Sequence, residues 1–281
     1  MILVFGAGGT VGSEVVRQLQ TAGAKFKASY STEAKASAAR DQGVDAVVAD
    51  YDDAGSLDRA LAGIDTVFLL SASNPAQETN AVEAAKRAAV KHIVKLSAWG
   101  TERDDFSFAK LHRQGERAIE QSGIPYTFLR PNGFMQNMAN YNAQSVREQG
   151  VFYNATGEAR ISHIDVRDIA AVAVKTLTEP GHENKAYSLS GPEALTYAEM
   201  AATLSEAIGK PVHYVDLTFE QYEQGMTSAG IPAAYADKLI DLVRTYRDGK
   251  AAQVNGEVKR LLGREPITFA QYAKDNAGAF R

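Results

Sequence analysis

The chain of 281 residues contains no cysteine, so it can form no disulfide, no thiolate nucleophile and no cysteine-ligated metal site. Its five histidines form no H-x-x-x-H pair, and we therefore expect no metal. It also lacks an apolar run of the roughly 20 residues that span a bilayer. Residues 1–5 are apolar but too few for a signal peptide, and they lack the basic n-region that a signal peptide has. We expect a cytoplasmic protein that binds no membrane.

Excess charge of either sign is also small. The formal net charge is -4 at pH 7, so the chain lacks the excess positive charge that is typical of nucleic-acid-binding proteins. A hydrophobic fraction of 45% and a charged fraction of 23% are ordinary for a soluble globular enzyme. The expected partner is a small molecule, and the chain is expected to be a monomer or a homodimer.

The first half of the chain alternates short apolar runs with helical stretches. Buried strands are predicted at residues 2–5, 25–30, 45–49, 66–70, 92–97 and 126–129. Helices are predicted between them at residues 10–22, 32–42, 54–61, 76–89 and 106–121. This alternation predicts an α/β fold of the Rossmann type, a doubly wound parallel sheet with helices on both faces.

A glycine-rich loop joins the first predicted strand to the first helix. It comprises Gly6, Gly8, Gly9, Thr10, Val11 and Gly12. In such a loop the first glycine permits a tight turn, the middle ones let backbone N–H groups approach a pyrophosphate, and the last allows close helix packing. The helix N-terminus adds N–H donors and a partial positive charge. The loop predicts NAD or NADP binding, and the absence of a P-loop lysine disfavours ATP hydrolysis.

The end of the second predicted strand favours NADP over NAD. An NAD site usually has an acidic residue there, which binds the ribose 2′-hydroxyl. This strand ends without one, whereas Ser29, Ser31 and Lys35 are suited to a 2′-phosphate. The alternative is that Lys35 lies on a solvated helix face.

The alternation of predicted strands and helices becomes less regular after Pro131. Strands are predicted at residues 161–165, 185–189 and 212–216, and a helix at residues 166–177. Thr196 and Glu199 form a capping box that opens a helix to Ile208, and the chain is mostly helical from residue 219. We therefore predict a Rossmann domain over residues 1–153, to which some later elements return. Residues 154–281 would form a smaller, mostly helical substrate and lid region.

Segments along nearly the whole chain resemble the NmrA-like family of atypical short-chain dehydrogenase/reductases. The matching segments are residues 6–12, 43–51, 88–97, 122–131, 132–137, 163–170 and 181–187. Residues 181–185 and 261–263 are most similar to the bacterial branch that contains NAD(P)H:quinone reductases and triphenylmethane-dye reductases.

The resemblance implies which positions contact the cofactor. Besides the glycine loop, these are Ser29, Tyr30, Ser31, Asp50 and Tyr51 on the adenosine side, and Leu70, Ser71, Ala72, Ser97, Ala98 and Pro131 on the nicotinamide side. They lie at the C-terminal ends of parallel strands, where open α/β sheets bind ligands. Candidate acceptor contacts are Trp99, Phe134, Met135, Asn137 and Tyr141. For each of these, packing or a backbone hydrogen bond is the structural alternative.

The Tyr-x-x-x-Lys pair of ordinary reductases of this superfamily is replaced by Phe108 and His112. Phenylalanine cannot donate a proton, so the usual carbonyl reduction is excluded. His112 and Lys110 remain candidate catalytic residues, although they lie two apart on a helix and share no face. A solvent-facing or structural role is the alternative for His112, whose unperturbed pKa is about 6.5.

Two functions are compatible with these residues. In the first, the protein is an oxidoreductase that transfers hydride from the nicotinamide directly to a quinone, dye or similar conjugated acceptor. Such an acceptor delocalises the incoming charge and takes its proton from water, so catalysis is mainly positioning. In the second, the protein is an NAD(P)-binding redox sensor or regulator of the NmrA type, with little or no catalysis.

Overall fold

The computed structural model describes all 281 residues and contains nine strands and twelve α-helices. The strands are β1 Ile2–Val4, β2 Phe26–Tyr30, β3 Ala46–Val48, β4 Thr66–Leu69, β5 His92–Leu96, β6 Tyr126–Pro131, β7 Val151–Asn154, β8 Lys185–Leu189 and β9 His213–Asp216. The helices are α1 Thr10–Thr21, α2 Glu33–Asp41, α3 Ala54–Leu61, α4 Pro75–Arg87, α5 Ser107–Ser122, α6 Gln136–Gln149, α7 Val166–Thr178, α8 Tyr197–Ile208, α9 Phe219–Ser228, α10 Ala233–Arg247, α11 Glu257–Leu262 and α12 Phe269–Asp275.

Seven strands form one sheet in the order β3-β2-β1-β4-β5-β6-β8. The pairings from β3 through β6 are parallel. Strand β8 also runs parallel to β6, because the Asn184 N–H donates to Tyr126 O at one end and the Asn132 N–H donates to Leu189 O at the other. The strand order reverses between β1 and β4, which is the switch point where doubly wound sheets bind ligands. The predicted Rossmann-type fold is confirmed.

Apolar side chains cover both faces of the central strand. Leu3 and Phe5 point into a core with residues of α3, α4 and α5, including Leu57, Val82 and Ile119. By strand alternation Ile2 and Val4 point to the opposite face, and both are also buried. A strand buried on both faces requires the continuous apolar run that the sequence has at this point.

The chain divides into two compact units. The first comprises residues 1–102, 109–130 and 166–188, and the second comprises residues 103–108, 131–165 and 189–281. The second unit contains the parallel pair β7–β9 and a core of α6, α8 and α12 side chains. The functional division at residue 153 stays a prediction. None of the helices has the length and hydropathy that a bilayer crossing needs.

Most predicted elements are present, with ends shifted by one or two residues. The capping box of Thr196 and Glu199 is confirmed, with both reciprocal hydrogen bonds formed. The predicted strand at residues 161–165 is wrong: Ile161 and Ile164 make isolated bridges to two different segments, so no continuous ladder forms. Strand β7 was not predicted, because its four residues Val-Phe-Tyr-Asn are too few to show a period.

Candidate cofactor and acceptor site

Backbone contacts explain two of the loop glycines. Gly6 has φ +66°, and a Cβ there would lie 2.9 Å from Leu70 O. A Cβ on Gly12 would lie 2.1 Å from Gly6 O, which no side chain can tolerate without moving the loop. Gly9 is different, because its Cβ would lie at an ordinary 3.4 Å from Gly6 O. The fold itself therefore requires Gly6 and Gly12, whereas Gly9 leaves open space beside the helix.

That space faces the N-terminus of α1. Gly9 is the N-cap, no side chain caps the helix, and no acidic residue occupies its first turn. The first-turn N–H groups, which include those of Thr10 and Val11, therefore have no capping side chain and no acidic residue of their own turn beside them. An exposed Gly8, bounded by the Tyr30 ring at 3.6 Å from its would-be Cβ, continues the same surface. Gly8, Gly9 and the first-turn N–H groups of α1 form a cradle that has both the space and the hydrogen-bond donors to bind a pyrophosphate.

The adenosine-side candidates lie at the C-terminal ends of β2 and β3 or just beyond them. Ser29 is buried, whereas Ser31 and Lys35 are exposed. Glu33 forms an ion pair with Arg40, and Lys35 has no ion pair. On this side of the sheet Lys35 therefore presents a cation that no carboxylate of the chain neutralises.

Tyr51 ties the end of β3 to the end of β4. Its ring stacks on Phe5 with centroids 5.2 Å apart, and its hydroxyl donates to Leu70 O at 2.7 Å. Burial raises the pKa of Tyr51 well above 10, and the negative charge of Glu78 raises it further. Tyr51 is therefore neutral, and it fixes the position of the loop formed by Leu70, Ser71 and Ala72. Asp50 beside it is exposed.

A buried ion pair lies beneath the ends of β4 and β5. The Lys95 side chain is 0% exposed, and its Nζ lies 2.5 Å from Glu78 Oε1. The same ammonium donates to Leu96 O at 3.3 Å and faces His112 Nδ1 at 3.4 Å. Ser71 Oγ also donates to Glu78 Oε1, at 2.9 Å. A buried charge is stable only when paired in this way.

Helix α5 contributes a glycine that makes room for this pair. A Cβ on Gly115 would lie 1.7 Å from Glu78 Oε2 and 3.2 Å from Lys95 Cε. The carboxylate therefore occupies the volume that any other residue at position 115 would fill. Because it is held by Lys95 and Ser71, it could not move aside without breaking the ion pair.

His112 on α5 connects the ion pair to the loop after β4. Its Nε2 lies 3.2 Å from Ser73 Oγ, while its Nδ1 faces Lys95. Burial lowers the pKa of His112 well below 6.5, and the positive charge of Lys95 lowers it further. The imidazole is therefore neutral at pH 7. Lys110, the other candidate on this helix, is exposed, and the structure does not bring it to this cluster.

Ser97, at the end of β5, belongs to a second buried polar network. Its hydroxyl donates to Glu116 Oε1 at 2.7 Å. Arg130 binds the fully buried Glu116 carboxylate in a bidentate manner, at 2.9 and 2.8 Å, and Arg113 approaches it at 3.2 Å. This network fixes the end of β5, which Ala98 and Trp99 follow as half-buried residues.

The sequence analysis missed Glu78, Lys95, Ser73, Glu116 and Arg130. One signal was available for Lys95, which stands among apolar residues in a predicted buried strand. A charge at such a position demands a buried partner. The partner itself could not be predicted from the sequence, because Glu78 lies on a different element.

The acceptor candidates of the second unit differ in exposure. Met135 is buried in a core cluster that includes Met138 and Phe152, and the nicotinamide-side candidate Pro131 is also buried. Phe134 is half-buried and Asn137 is exposed, and the Tyr141 side chain is 75% exposed. Of these candidates, Tyr141 offers the most accessible ring.

Comparisons with known proteins agree with this geometry. The model of the NmrA-like family matches residues 1–273. The chain is 43% identical over 284 residues to an NAD(P)H azoreductase of Xenophilus azovorans, covering 100% of this chain and 99% of the relative. It superposes on an NADPH-dependent quinone oxidoreductase of Escherichia coli, solved with NADPH, at a TM-score of 0.88 with 32% identity, covering 98% and 99% of the two chains. A triphenylmethane reductase of Citrobacter, solved with NADP(H), gives 0.86 with 30% identity and the same coverage.

Proposed function

Because the chain belongs to the NmrA-like family, we propose that it is an NAD(P)H-dependent reductase that transfers hydride to a quinone, an azo or other dye, or a similar conjugated acceptor. The observation that carries this proposal is the full-length similarity, at 43% identity, to a protein named as an NAD(P)H azoreductase. The uncapped, glycine-lined start of α1 supports cofactor binding independently of that similarity.

NADP(H) is the favoured cofactor. The glycine loop and the α1 N-terminus hold the pyrophosphate, and Ser29, Ser31 and Lys35 hold the ribose with its 2′-phosphate. Leu70–Ala72 and Ser97–Trp99 border the nicotinamide. The comparison structures named with NADPH or NADP(H) support this choice.

The cofactor supplies the hydride, and the chain supplies position. The Tyr51 hydroxyl and the Glu116 network hold the ends of β4 and β5 rigid, so that the groups bordering the nicotinamide do not need to reorganise. His112 is neutral at pH 7 and is not an acid at that pH, so the acceptor takes its proton from water. Trp99, Phe134, Met135, Asn137 and Tyr141 remain the candidate acceptor contacts.

Lys35→Gln is expected to weaken NADPH binding and to leave NADH binding unchanged. The exposed ammonium contributes only a screened interaction with the 2′-phosphate, which NADH lacks, so we expect about a three- to tenfold loss. Titration of both cofactors measures the effect. Lys86→Gln, an exposed lysine near the end of α4, is the matched control. Equal losses for NADPH and NADH would contradict the assigned contact.

The proposed function is tested by following the reduced-nicotinamide absorbance with NADPH or NADH and a panel of quinones, azo dyes and triphenylmethane dyes. We expect oxidation that depends on the acceptor and is faster with NADPH. Tight cofactor binding without turnover on any acceptor would favour the redox-sensor function. Failure to bind either nucleotide would reject both functions.

A further inference from the structure

We propose that the Ser73 hydroxyl is a hydrogen-bond donor to the acceptor, oriented by a buried chain of side chains that runs from Glu78 through Lys95 and His112. We call these four residues the donor chain. This inference rests on the proposed function, because it concerns the acceptor of that reaction. It adds a residue contacting the acceptor, Ser73, and two positioning residues, Lys95 and Glu78.

The direction of the donor chain follows from the chemistry of lysine. An ammonium has three N–H donors and no acceptor. The three neighbours of Lys95 Nζ are Glu78 Oε1, Leu96 O and His112 Nδ1, so each must accept. A protonated Nδ1 would place an N–H against the ammonium. The neutral imidazole therefore carries its proton on Nε2.

That proton faces Ser73. The Nε2–H donates to Ser73 Oγ across 3.2 Å, so the serine oxygen acts as acceptor toward the histidine. The serine proton then points away from His112. No other hydrogen bond within the chain uses this hydroxyl, although Ser73 is half-buried. The donor chain thus ends in an O–H that is available to a ligand.

Because His112 stays neutral, the donor and acceptor roles in the hydrogen bonds from Lys95 to His112 and from His112 to Ser73 do not change with pH. The charged group that contacts its ring is Lys95 on β5, which pairs with Glu78 on α4, and Ser73 of the loop after β4 contacts the other ring nitrogen. On its own helix, the neighbouring Arg113 and Glu116 form an ion pair with each other. Burial and Lys95 hold the pKa of His112 well below 6.5. The ring therefore stays neutral between pH 6.5 and 8.

The backbone presents Ser73 at the ligand edge of the sheet. Ser73 follows β4 and has φ +55°, a left-handed conformation that disfavours residues other than glycine. Next to it, the Asn74 side chain accepts from the N–H groups of Ala76 and Gln77 and caps α4. The strained serine is therefore held from both sides, by His112 and by the helix cap. Such strain is typical of functional positions.

The acceptor chemistry matches a donor of this kind. When hydride reaches a quinone or an azo group, its electron pair and hydrogen add to the acceptor, and negative charge develops on a carbonyl oxygen or a nitrogen. The new anion then takes a proton from water. A fixed O–H donor at that atom stabilises the charge as it forms.

Ser73→Ala tests the donor role directly. We expect kcat with a quinone to fall by about tenfold or more, whereas the Kd for NADPH stays within about twofold of the wild-type value. Ser37→Ala, at an exposed serine on α2, is the matched control and is expected to keep wild-type kcat. Equal kcat values for Ser73→Ala and Ser37→Ala would overturn the donor role. A wild-type chain that binds NADPH but reduces no acceptor would instead overturn the proposed function, and with it this inference.

The positioning role of Lys95 has a spectroscopic readout that does not depend on turnover. In ¹⁵N NMR spectra of the wild-type protein, we expect His112 to be neutral with its proton on Nε2 between pH 6.5 and 8, the signal being assigned with His112→Gln. In the paired variant Lys95→Met/Glu78→Gln, the Nδ1–H tautomer should appear and kcat should fall as in Ser73→Ala. A wild-type proton on Nδ1, or an unchanged tautomer and kcat in the paired variant, would contradict the donor chain.

Discussion

Replacing Lys95 by methionine alone is expected to lower the free energy of unfolding by about 3–5 kcal/mol. Methionine fills a similar volume, so the loss does not come from a cavity. It comes from Glu78, which would remain as a carboxylate with a side chain only 2% exposed and no cation beside it. Since a domain is stable by only about 5–15 kcal/mol, this loss removes a large share of the total.

The paired variant Lys95→Met/Glu78→Gln separates this cause from a general packing defect. Glutamine keeps the shape of glutamate, removes the charge and still accepts the Ser71 hydroxyl. We therefore expect the paired variant to be more stable than Lys95→Met, with most of the loss recovered. Urea unfolding measured on the single and paired variants gives both values. A paired variant at least as unstable as Lys95→Met would contradict the ion-pair explanation.

Gly12→Ala is expected to weaken NADPH binding by about a hundredfold, which is roughly 3 kcal/mol. The new Cβ would lie 2.1 Å from the Gly6 oxygen and 2.7 Å from the Gly6 carbonyl carbon. Both atoms belong to the backbone, so the loop must shift and the N–H groups facing the pyrophosphate shift with it. Losing two or three hydrogen bonds to a charged group accounts for a loss of this size. Titration with NADPH measures it.

Two further glycine variants test whether a loss of binding in Gly12→Ala comes from the pyrophosphate site. Gly9→Ala has room against the Gly6 oxygen and places its methyl group in the cradle, so we expect about tenfold weaker binding with little change in stability. Gly225→Ala, in α9 with no atom within 4 Å of its would-be Cβ, is the control. It should bind NADPH normally and be more stable by up to about 1 kcal/mol. Normal binding by both Gly9→Ala and Gly12→Ala would reject the pyrophosphate site.

The Rossmann half of the fold was predictable because each of its elements has a local cause. Gly6 and Gly12 mark the turn between β1 and α1, and β1 is a purely apolar run because both of its faces are covered. The segment at residues 161–165 looked like a strand for the same reason, since it contains Ile161 and Ile164. Its two isoleucines form isolated bridges to separate segments instead of one ladder. This arrangement depends on tertiary packing, which a local sequence pattern cannot predict.

The candidate site was only partly predictable. The glycine loop and the strand ends could be identified, because their positions follow from motif and topology. His112 could be singled out only by the resemblance, and its neutral state depends first on its burial and then on Lys95, which lies 17 residues earlier on another element. The role of Gly115 could not be predicted, because a glycine within a helix does not indicate that a carboxylate from another element packs against it.

Direct hydride transfer is tested most sharply by single-turnover oxidation of NADPH carrying deuterium at C4 of the nicotinamide, with one face labelled at a time. With a saturating quinone or azo dye, we expect one labelled form to react more slowly than unlabelled NADPH, and the other to react at the unlabelled rate. That result means that the C4–hydrogen bond breaks during the reaction with the acceptor, on one face of a held nicotinamide. Acceptor-independent oxidation, or no isotope effect with either label, would contradict direct transfer.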